Sequence, residues 1–426
     1  MTNDDLIARR ERLLGTGAAL FYEEPVQIVR GEGVWLYDET GGRYLDMYNN
    51  VPCVGHGHPH VVEAMQRQAE TLNVHSRYLH EGILEYAERL TALHGDPLST
   101  AIFTCTGTEA NEVALQMARA VTGRAGILCS DSAYHGNSTE VRKLSRLRDD
   151  SRAGYRSFPF PQRYRPLREG VGDEELVDLY LDEVRRGIAD LEASDSGFAA
   201  LLLCPILANE GLPDIPTGFM ARATELVHAA GGLMICDEVQ AGFGRTGRWW
   251  GYETSEFEPD IVSLGKPMGN GLPFAGVVAP LDLVNAFRKS TRYFNTFASS
   301  PLQAAVGMAV IDVIEDEGLI ERATETGDYM RDALRAMQES CAPMADVRGH
   351  GLFTAIEWVS DRSARTPDPD GANVIVNALK DQGTLLSRAG ANANILKLRP
   401  PLVFDREHAD HFLSTFETVV SESQGG

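Results

Sequence analysis

The sequence predicts an α/β protein: one large, mostly parallel sheet sandwiched by helices, with a smaller α+β part made from both chain ends. Three observations predict it. Short, fully apolar runs recur through the middle of the chain, and helical stretches separate them. At the two ends the pattern changes to alternating strands and to mixed elements.

The apolar runs are TAIFTC, GILCS, AALLLCP, GLMICDE, DIVSLG and FAGVVA, all between His60 and Glu317. Short runs without polar alternation are strands buried on both faces, as in a parallel sheet covered by helices. The helices expected among them are His60–Leu72, Ile83–His94, Ala110–Thr122, Glu174–Ala193, Gly218–Ala230 and Gln303–Glu317. Before them, VQIVRGEGVWLYDETGGRYLDMY alternates as strands do, and Thr40-Gly41-Gly42 supplies a hairpin turn. After them, 320–424 mixes helices with strands such as LFTAIEWV and ILKLRPPL. The expected domains are a large one, 60–319, and a small one whose parts are 1–59 and 320–426. A chain of 426 residues accommodates such units.

Composition bounds the function. With 43% apolar and 23% charged residues, the chain reads as a soluble globular protein. No run approaches the roughly 18–20 apolar residues that span a bilayer. The segment MTNDDLIARRERLL is charged and lacks the apolar core of a secretory signal, so a cytoplasmic location is expected. The net charge of −22 repels nucleic acid and anionic lipid, which are not expected as partners. An anionic ligand would need a local cluster of positive groups. The cysteines at 53, 105, 129, 204, 236 and 341 form no C-x-x-C pair and read as reduced core residues.

Four local features carry chemistry. In TCTGTEANEVALQMAR a strand ends, Thr106-Gly107-Thr108 turns, and a helix begins near Glu109. Backbone N–H groups at such a helix start attract phosphate; the plain alternative is Thr108 as an N-cap. In SDSAYHGNS, Tyr134 follows a strand and can stack on a flat heteroaromatic ring. In LMICDEVQAGFGRTG, Asp237 stands where a strand stops, the position at which α/β sheets hold ligands. A carboxylate there can keep a pyridine nitrogen protonated; the alternative is a turn or cap residue. In DIVSLGKPMGNGLP, Lys266 follows a buried strand directly. A solvated surface lysine is the bland reading, but partial burial would favour the neutral amine that forms a Schiff base. Phosphate cradle, ring stacker, pyridine-nitrogen partner and Schiff-base lysine are the set that pyridoxal phosphate (PLP) requires.

With these residues the chain resembles the class III aminotransferases of PLP fold type I over nearly its whole length. The stretches that carry the resemblance are GTEANEVALQMAR, AYHGNS, DEVQAGFGRTG, SLGKPMGNGLP and FNTFASSPLQAAVGMAVIDVI. It implies that Gly107 and Thr108 bind the cofactor phosphate and that Tyr134 stacks on the ring. Asp237 would meet the ring nitrogen, Gln240 would sit near the ring hydroxyl, and Lys266 would form the Schiff base. His135 and Val239 complete the expected cofactor contacts, and Lys266, Asp237 and Tyr134 are the expected catalytic set. A homodimer is also implied, with Thr296 reaching the phosphate of the neighbouring subunit's cofactor.

The front of the chain, LFYEEPVQIVRGEGVWLYDETGGRYLDMYNNVPCVGHGHP with NVHSRYLH, is similar to the branch holding ethanolamine-phosphate phospho-lyases. Two outcomes therefore compete: amino transfer from a primary amine or amino acid to a keto acid, which leads, and elimination of phosphate from phosphoethanolamine or a similar amino phosphate. A non-catalytic amine sensor would need a DNA-binding or partner module, and the chain has no basic extension for one. Two stretches depart from the family pattern. Cys204 and Leu207 stand where a Glu and often a Gln are usual, and Ala298-Ser299-Ser300-Pro301 replaces Gly-Gly-Asn-Pro. Both border the expected substrate space. Arg77, Arg399 and Asn50 are the candidate substrate-binding residues, since Arg suits bidentate capture of carboxylate or phosphate. A structural ion pair is the alternative for each Arg.

Two further signals are set aside. Gly242, Gly244 and Gly247 spell G-x-G-x-x-G, but no strand runs directly into them and no helix follows. His56, His58 and His60 alternate within a Gly/Pro turn without a neighbouring carboxylate, so no metal is expected.

Overall fold

The computed structural model describes residues 3–145 and 153–424. After helix α1 (Asn3–Leu14), the strands β1 (Ile28–Glu32), β2 (Trp35–Asp38) and β3 (Arg43–Asp46) form an antiparallel meander. The β2–β3 turn falls at the expected Thr40-Gly41-Gly42. Asp38 organises it, its Oδ1 accepting from the N–H groups of Thr40 and Gly42 at 2.9 and 2.8 Å.

The central sheet has seven strands: β4 (Thr100–Thr104), β5 (Gly126–Ser130), β6 (Tyr155–Phe158), β7 (Phe198–Leu203), β8 (Leu233–Asp237), β9 (Ile261–Leu264) and β10 (Ala275–Ala279). Their spatial order is β4-β10-β9-β8-β7-β5-β6. Only β10 makes antiparallel pairs, with β4 and β9; the remaining pairs are parallel. Helices α2 (Pro59–Thr71), α3 (Glu81–Ala92), α4 (Gly107–Thr122), α5 (Asp173–Glu192), α6 (Phe219–Ala229), the single turn α7 (Gly251–Thr254), α8 (Leu281–Ser290) and α9 (Pro301–Asp316) occupy the connections. One core lies under α4 and α8, where Val113, Leu115 and Phe287 meet Ile127 and Ile235. On the other face Leu181 and Val184 of α5 and Phe219 of α6 join Leu128 and Leu201. Every residue of β7 is buried, as its unbroken FAALLL run predicts, and burying each large apolar side chain contributes about 1.5–3 kcal/mol.

The C-terminal part carries α10 (Leu319–Gln338), β11 (Met344–His350), β12 (Phe353–Asp361), β13 (Thr366–Pro367), α11 (Pro369–Asp381), β14 (Thr384–Leu385), β15 (Ser387–Ala389), β16 (Ile395–Leu398) and α12 (Arg406–Gln424). A sheet runs β11-β12-β16-β15, with β13 on β12. The two chain ends meet where β14 pairs in parallel with β3, Thr384 opposite Leu45. Because β16 follows this sheet inward, its polar side chains reach the C-terminal edge of the central sheet.

The expectation that no carboxylate accompanies the three histidines is corrected. His56, His58 and His60 each meet a distant acid: Asp46 at 2.7 Å, Glu317 at 2.9 Å and Asp312 at 3.3 Å. The rings diverge to separate partners. All six cysteines are free, and Cys105 alone is not fully buried.

Candidate active site

The start of α4 differs in register from the sequence reading. Thr106 is the N-cap: its hydroxyl accepts from the Glu109 N–H at 3.1 Å, and the Glu109 carboxylate accepts from the N–H groups of Thr106 and Cys105. This reciprocal capping box moves the first helical residue back to Gly107, ahead of the expected Glu109, and takes the cap role from Thr108. The amides of Gly107 and Thr108 therefore stand in the first turn, where no intrahelical acceptor exists. Gly107 is required by crowding, since a Cβ there would lie 2.9 Å from the Val239 methyls. Gly136, at φ +138°, likewise leaves room for Thr108, whose Oγ1 would be 2.6 Å from an added Cβ.

Asp237 ends β8 and is buried. Its Oδ2 lies 2.7 Å from His135 Nδ1 and accepts from Asn111 Nδ2 at 3.0 Å, while Oδ1 accepts from the Val239 N–H at 3.0 Å. Asn111 is itself fixed, donating to the His135 carbonyl at 2.7 Å and accepting from Ser263 Oγ at 2.6 Å. Burial pushes the Asp237 carboxyl up, but His135, Val239 and Asn111 together hold it below the usual carboxylate range. The site thus keeps an ionised acid in a dry place. His135 Nε2 is buried without a hydrogen-bond partner among the described residues.

Lys266 follows β9 at φ +30°, in the left-handed region that a lysine seldom adopts. Such strain persists only where the surroundings impose it; here Gly265 packs against Gly107, and Pro267 stiffens the turn beyond. Burial lowers the Lys266 amine below its ordinary range, Arg399 adds repulsion, and Asp237 opposes both. A second lysine, Lys397 of β16, is buried nearby. Its Nζ donates to the Ala208 carbonyl at 2.6 Å and to Gln240 Oε1 at 3.4 Å. Burial, with Arg399 and Lys266 as like charges, drives its amine well down. Gln240 Nε2 donates to Asn209 Oδ1 at 3.1 Å, and Asn209 Nδ2 to the Tyr134 carbonyl at 3.0 Å.

One cavity of about 180 Å³ is lined by Gly107, Thr108, Tyr134, His135, Asp237, Val239, Gln240 and Lys266. These eight come from separate strand ends and loops, and they converge as the sequence expects. Other expected site residues lie elsewhere. Arg399 is buried behind the cavity, its Nε donating to the Tyr48 carbonyl at 2.7 Å and its guanidinium over the Tyr48 ring. Asn50 is buried with Nδ2 unpartnered and does not line this cavity. Thr296 is exposed on the loop joining α8 to α9. Arg77 lines a different cavity of about 450 Å³ with Arg288 and Arg292, stacked 4.0 Å over Phe294. Lys397, Asn111 and Glu210 were not anticipated, whereas Cys204, expected to border the substrate space, lines the cavity. Strand alternation could have found Lys397, since in ILKLRP positions 397 and 399 share a face.

The comparisons with known proteins agree with this geometry. Residues 21–420 match the family model described as aminotransferase class-III. A fruit-fly (Drosophila melanogaster) alanine–glyoxylate aminotransferase 2-like protein is 37% identical, covering 99% of this chain and 88% of its own. An ethanolamine-phosphate phospho-lyase homolog of Caenorhabditis elegans is 33% identical over 99% of this chain and 94% of its own. Among solved structures, a phospholyase from Arthrobacter in complex with phosphoethanolamine superposes with a TM-score of 0.94 at 40% identity, covering 98% and 99% of the two chains. A Bacillus anthracis aminotransferase gives 0.89 at 28% identity, covering 99% and 100%. The chain belongs to the class III aminotransferase family, PLP-dependent enzymes of fold type I.

Proposed function

We propose that Lys266 carries PLP and that the enzyme transfers the amino group of an anion-bearing primary amine to a keto acid. The observation that carries this reading is the convergence of Lys266, Asp237 and the start of α4 on one cavity, with Lys397 and Arg399 buried behind it. The residues present fit the cofactor: amides of Gly107 and Thr108 for its phosphate, Tyr134 and Val239 against its ring, Gln240 near its hydroxyl. Asp237 is an acid held ionised, suited to its ring nitrogen. When bound, PLP supplies an electron sink for charge released at the substrate carbon.

The chain's own groups do the rest. Lys266, whose amine burial lowers below its ordinary range, would hold the cofactor, and its amine would be the base placed to take a proton from the carbon bearing nitrogen. Asp237, its carboxylate fixed by His135 and Asn111, would hold a proton at the ring nitrogen. Arg399 would attract a carboxylate or phosphate a few bonds from the amine, and Lys397, whose amine burial drives well down, would take up a proton as that anion enters.

A homodimer in the cytoplasm completes the reading. Leu79 at 100% exposure and Phe297 at 78% are large apolar side chains that flank the outlying Arg77 and Thr296. Burying them against a second copy would bring Arg77 and Thr296 to the neighbour's site. The free cysteines suit a reducing compartment. Pairing of β3 with β14 supports 1–59 and 320–426 as one small domain beside 60–319.

Elimination of phosphate is a second reading, favoured by the Arthrobacter phospholyase at 40% identity. Incubation with phosphoethanolamine and no keto acid separates the two. Amino transfer gives at most one product per site until pyruvate is added, and then alanine. Sustained release of inorganic phosphate would establish the lyase.

A further inference from the structure

Strand β7 lies between β8 and β5 in the central sheet, so the loop after it stands between the loops that carry Gln240 and Tyr134. Asn209 on that loop lines the cavity and bonds to both neighbours. Its Nδ2 donates to the Tyr134 carbonyl at 3.0 Å, and its Oδ1 accepts from Gln240 Nε2 at 3.1 Å. The loop is fastened from the small domain. Lys397 of β16 donates to the Ala208 carbonyl at 2.6 Å, and Arg348 of β11 donates to the carbonyls of Leu212 and Gly211 at 2.8 and 3.0 Å. The backbone enters the left-handed region at Leu207, Gly211 and Leu212, with φ of +48°, +113° and +54°. At Gly211 a Cβ would lie 2.1 Å from Ile395 Cδ1, so a side chain is excluded there. Backbone strain of this kind persists where its surroundings impose it.

The directions of the side-chain bonds follow from one another. A backbone carbonyl only accepts, so Tyr134 takes Nδ2 of Asn209 and leaves Oδ1 for Gln240. Oδ1 also only accepts, so it selects Nε2 of Gln240 and leaves Oε1 for Lys397, whose Nζ donates at 3.4 Å. One hydrogen on Gln240 Nε2 is thereby committed, and the second is left for an acceptor in the cavity. The Lys397 contact is long for a hydrogen bond, so Asn209 is the firmer restraint on the Gln240 amide. Asparagine suits the position because one short side chain supplies both a donor and an acceptor; Asp lacks the donor, and Leu lacks both.

We propose that Asn209 is a positioning residue for the cofactor ring. Through Gln240 it keeps an N–H donor turned to the ring hydroxyl, and through the Tyr134 carbonyl it holds the stacking residue's loop in register with that donor. The inference rests on the placement of Gln240 and Tyr134 against the ring. A donor at the ring oxygen favours its ionised form. With Asn209 lost, the Gln240 amide is free to turn; the oxygen then holds its shared proton more tightly, and the pH midpoint of the bound cofactor's visible band rises.

The test uses holoenzyme and Asn209→Leu, which keeps the side chain's size and removes both bonds, together with Gln240→Leu and the double variant. The midpoint of the visible band is titrated, and the dissociation constant of PLP is measured by equilibrium dialysis. In Asn209→Leu the midpoint is expected to rise by about half a pH unit or more, and the dissociation constant about three- to ten-fold, as loss of neutral hydrogen bonds implies. With Gln240 already replaced, Asn209→Leu is expected to move the midpoint by less than about 0.2 of a pH unit, because the two act in series. A wild-type midpoint in Asn209→Leu, or an equal shift with and without Gln240, overturns the proposal. Gln240→Leu separates the two claims: if it titrates as wild type, the placement of Gln240 at the ring fails and takes this inference with it. If Gln240→Leu shifts the midpoint and Asn209→Leu does not, only the inference falls. Should Asn209→Leu not fold, Asn209→Ala removes the same bonds without bulk and is read by the same criteria.

Discussion

His135 Nδ1 lies 2.7 Å from Oδ2 of Asp237, and both side chains are buried at the C-terminal edge of the central sheet. With Asn111 and the Val239 amide, this contact keeps Asp237 ionised despite burial. Asp237→Asn keeps the shape but removes the charge. The variant is expected to retain cofactor and to lose about 10- to 100-fold in single-turnover rate, matching a charged hydrogen bond of about 1.5–3 kcal/mol. Stopped-flow at saturating amine, with cofactor occupancy read from absorbance, measures it. A rate near wild type would show that Asp237 does not serve the ring.

Lys397, behind the cavity, is expected to become charged when an anion binds beside it. Lys397→Met preserves length and packing while removing the charge. KM for an amine carrying phosphate or carboxylate is expected to rise about 10-fold or more, because a charge-assisted bond of about 1.5–3 kcal/mol is lost. A neutral amine such as benzylamine is expected to change by less than about two-fold. Equal losses for both amines would assign Lys397 to the Ala208 and Gln240 contacts alone.

Arg77 serves the neighbouring subunit on this account. Lys266→Ala and Arg77→Ala chains are each expected to be nearly inactive alone. Mixed and allowed to exchange, they recover about a quarter of wild-type activity, because random pairing gives one complete site in each mixed dimer. No recovery, with mixed dimers verified by native mass spectrometry, would return Arg77 to its own subunit's site or to a structural role.

Much of this was legible in the sequence, for identifiable reasons. Unbroken apolar runs such as FAALLL can only be doubly covered strands, so the central sheet and its helices were readable. Gly107, Asp237 and Lys266 were readable because each stands where a strand stops, and parallel strands bring their ends together. The start of α4 was misread because three small polar residues, Thr104, Thr106 and Thr108, compete for the cap, and only Glu109 reaching back to Thr106 decides it. Lys397 and Glu210 were missed because a buried charge depends on partners distant in sequence. Lys397 rests on Ala208, and Glu210 on Ser130. The position of Arg77 away from the cavity was hidden for the same reason, whereas Thr296 was expected away from it, because the resemblance assigns it to a neighbouring subunit's cofactor.

Acid stability carries a separate mark. His94 stacks on Trp250 with ring centres 3.9 Å apart, and burial lowers its pKa to about 3. The unfolded chain binds a proton at this residue near the ordinary 6.5, and the folded chain does not until about 3. The contribution of His94 is therefore complete above the ordinary value and is lost as pH falls below it, by about 1.4 kcal/mol per unit. Urea unfolding at about pH 7.5 and about pH 5.5 is expected to show a loss that His94→Phe reduces by about 1 kcal/mol. An identical loss in the variant would mean that His94 is protonated in the folded state.

The central claim is that Lys266 carries the cofactor, and Lys397, buried behind the cavity, is its competitor. Lys397 is also buried, also has a depressed amine, and approaches the same Gln240. What separates them is placement: Lys266 lines the cavity with Gly107 at the start of α4, whereas Lys397 does not and is held by the Ala208 carbonyl. Borohydride reduction of the holoenzyme followed by peptide mass mapping reads the attachment directly. The account predicts a pyridoxyl phosphate mass on the peptide containing Lys266 and none on that containing Lys397; the label on Lys397, or on any other lysine, would contradict it.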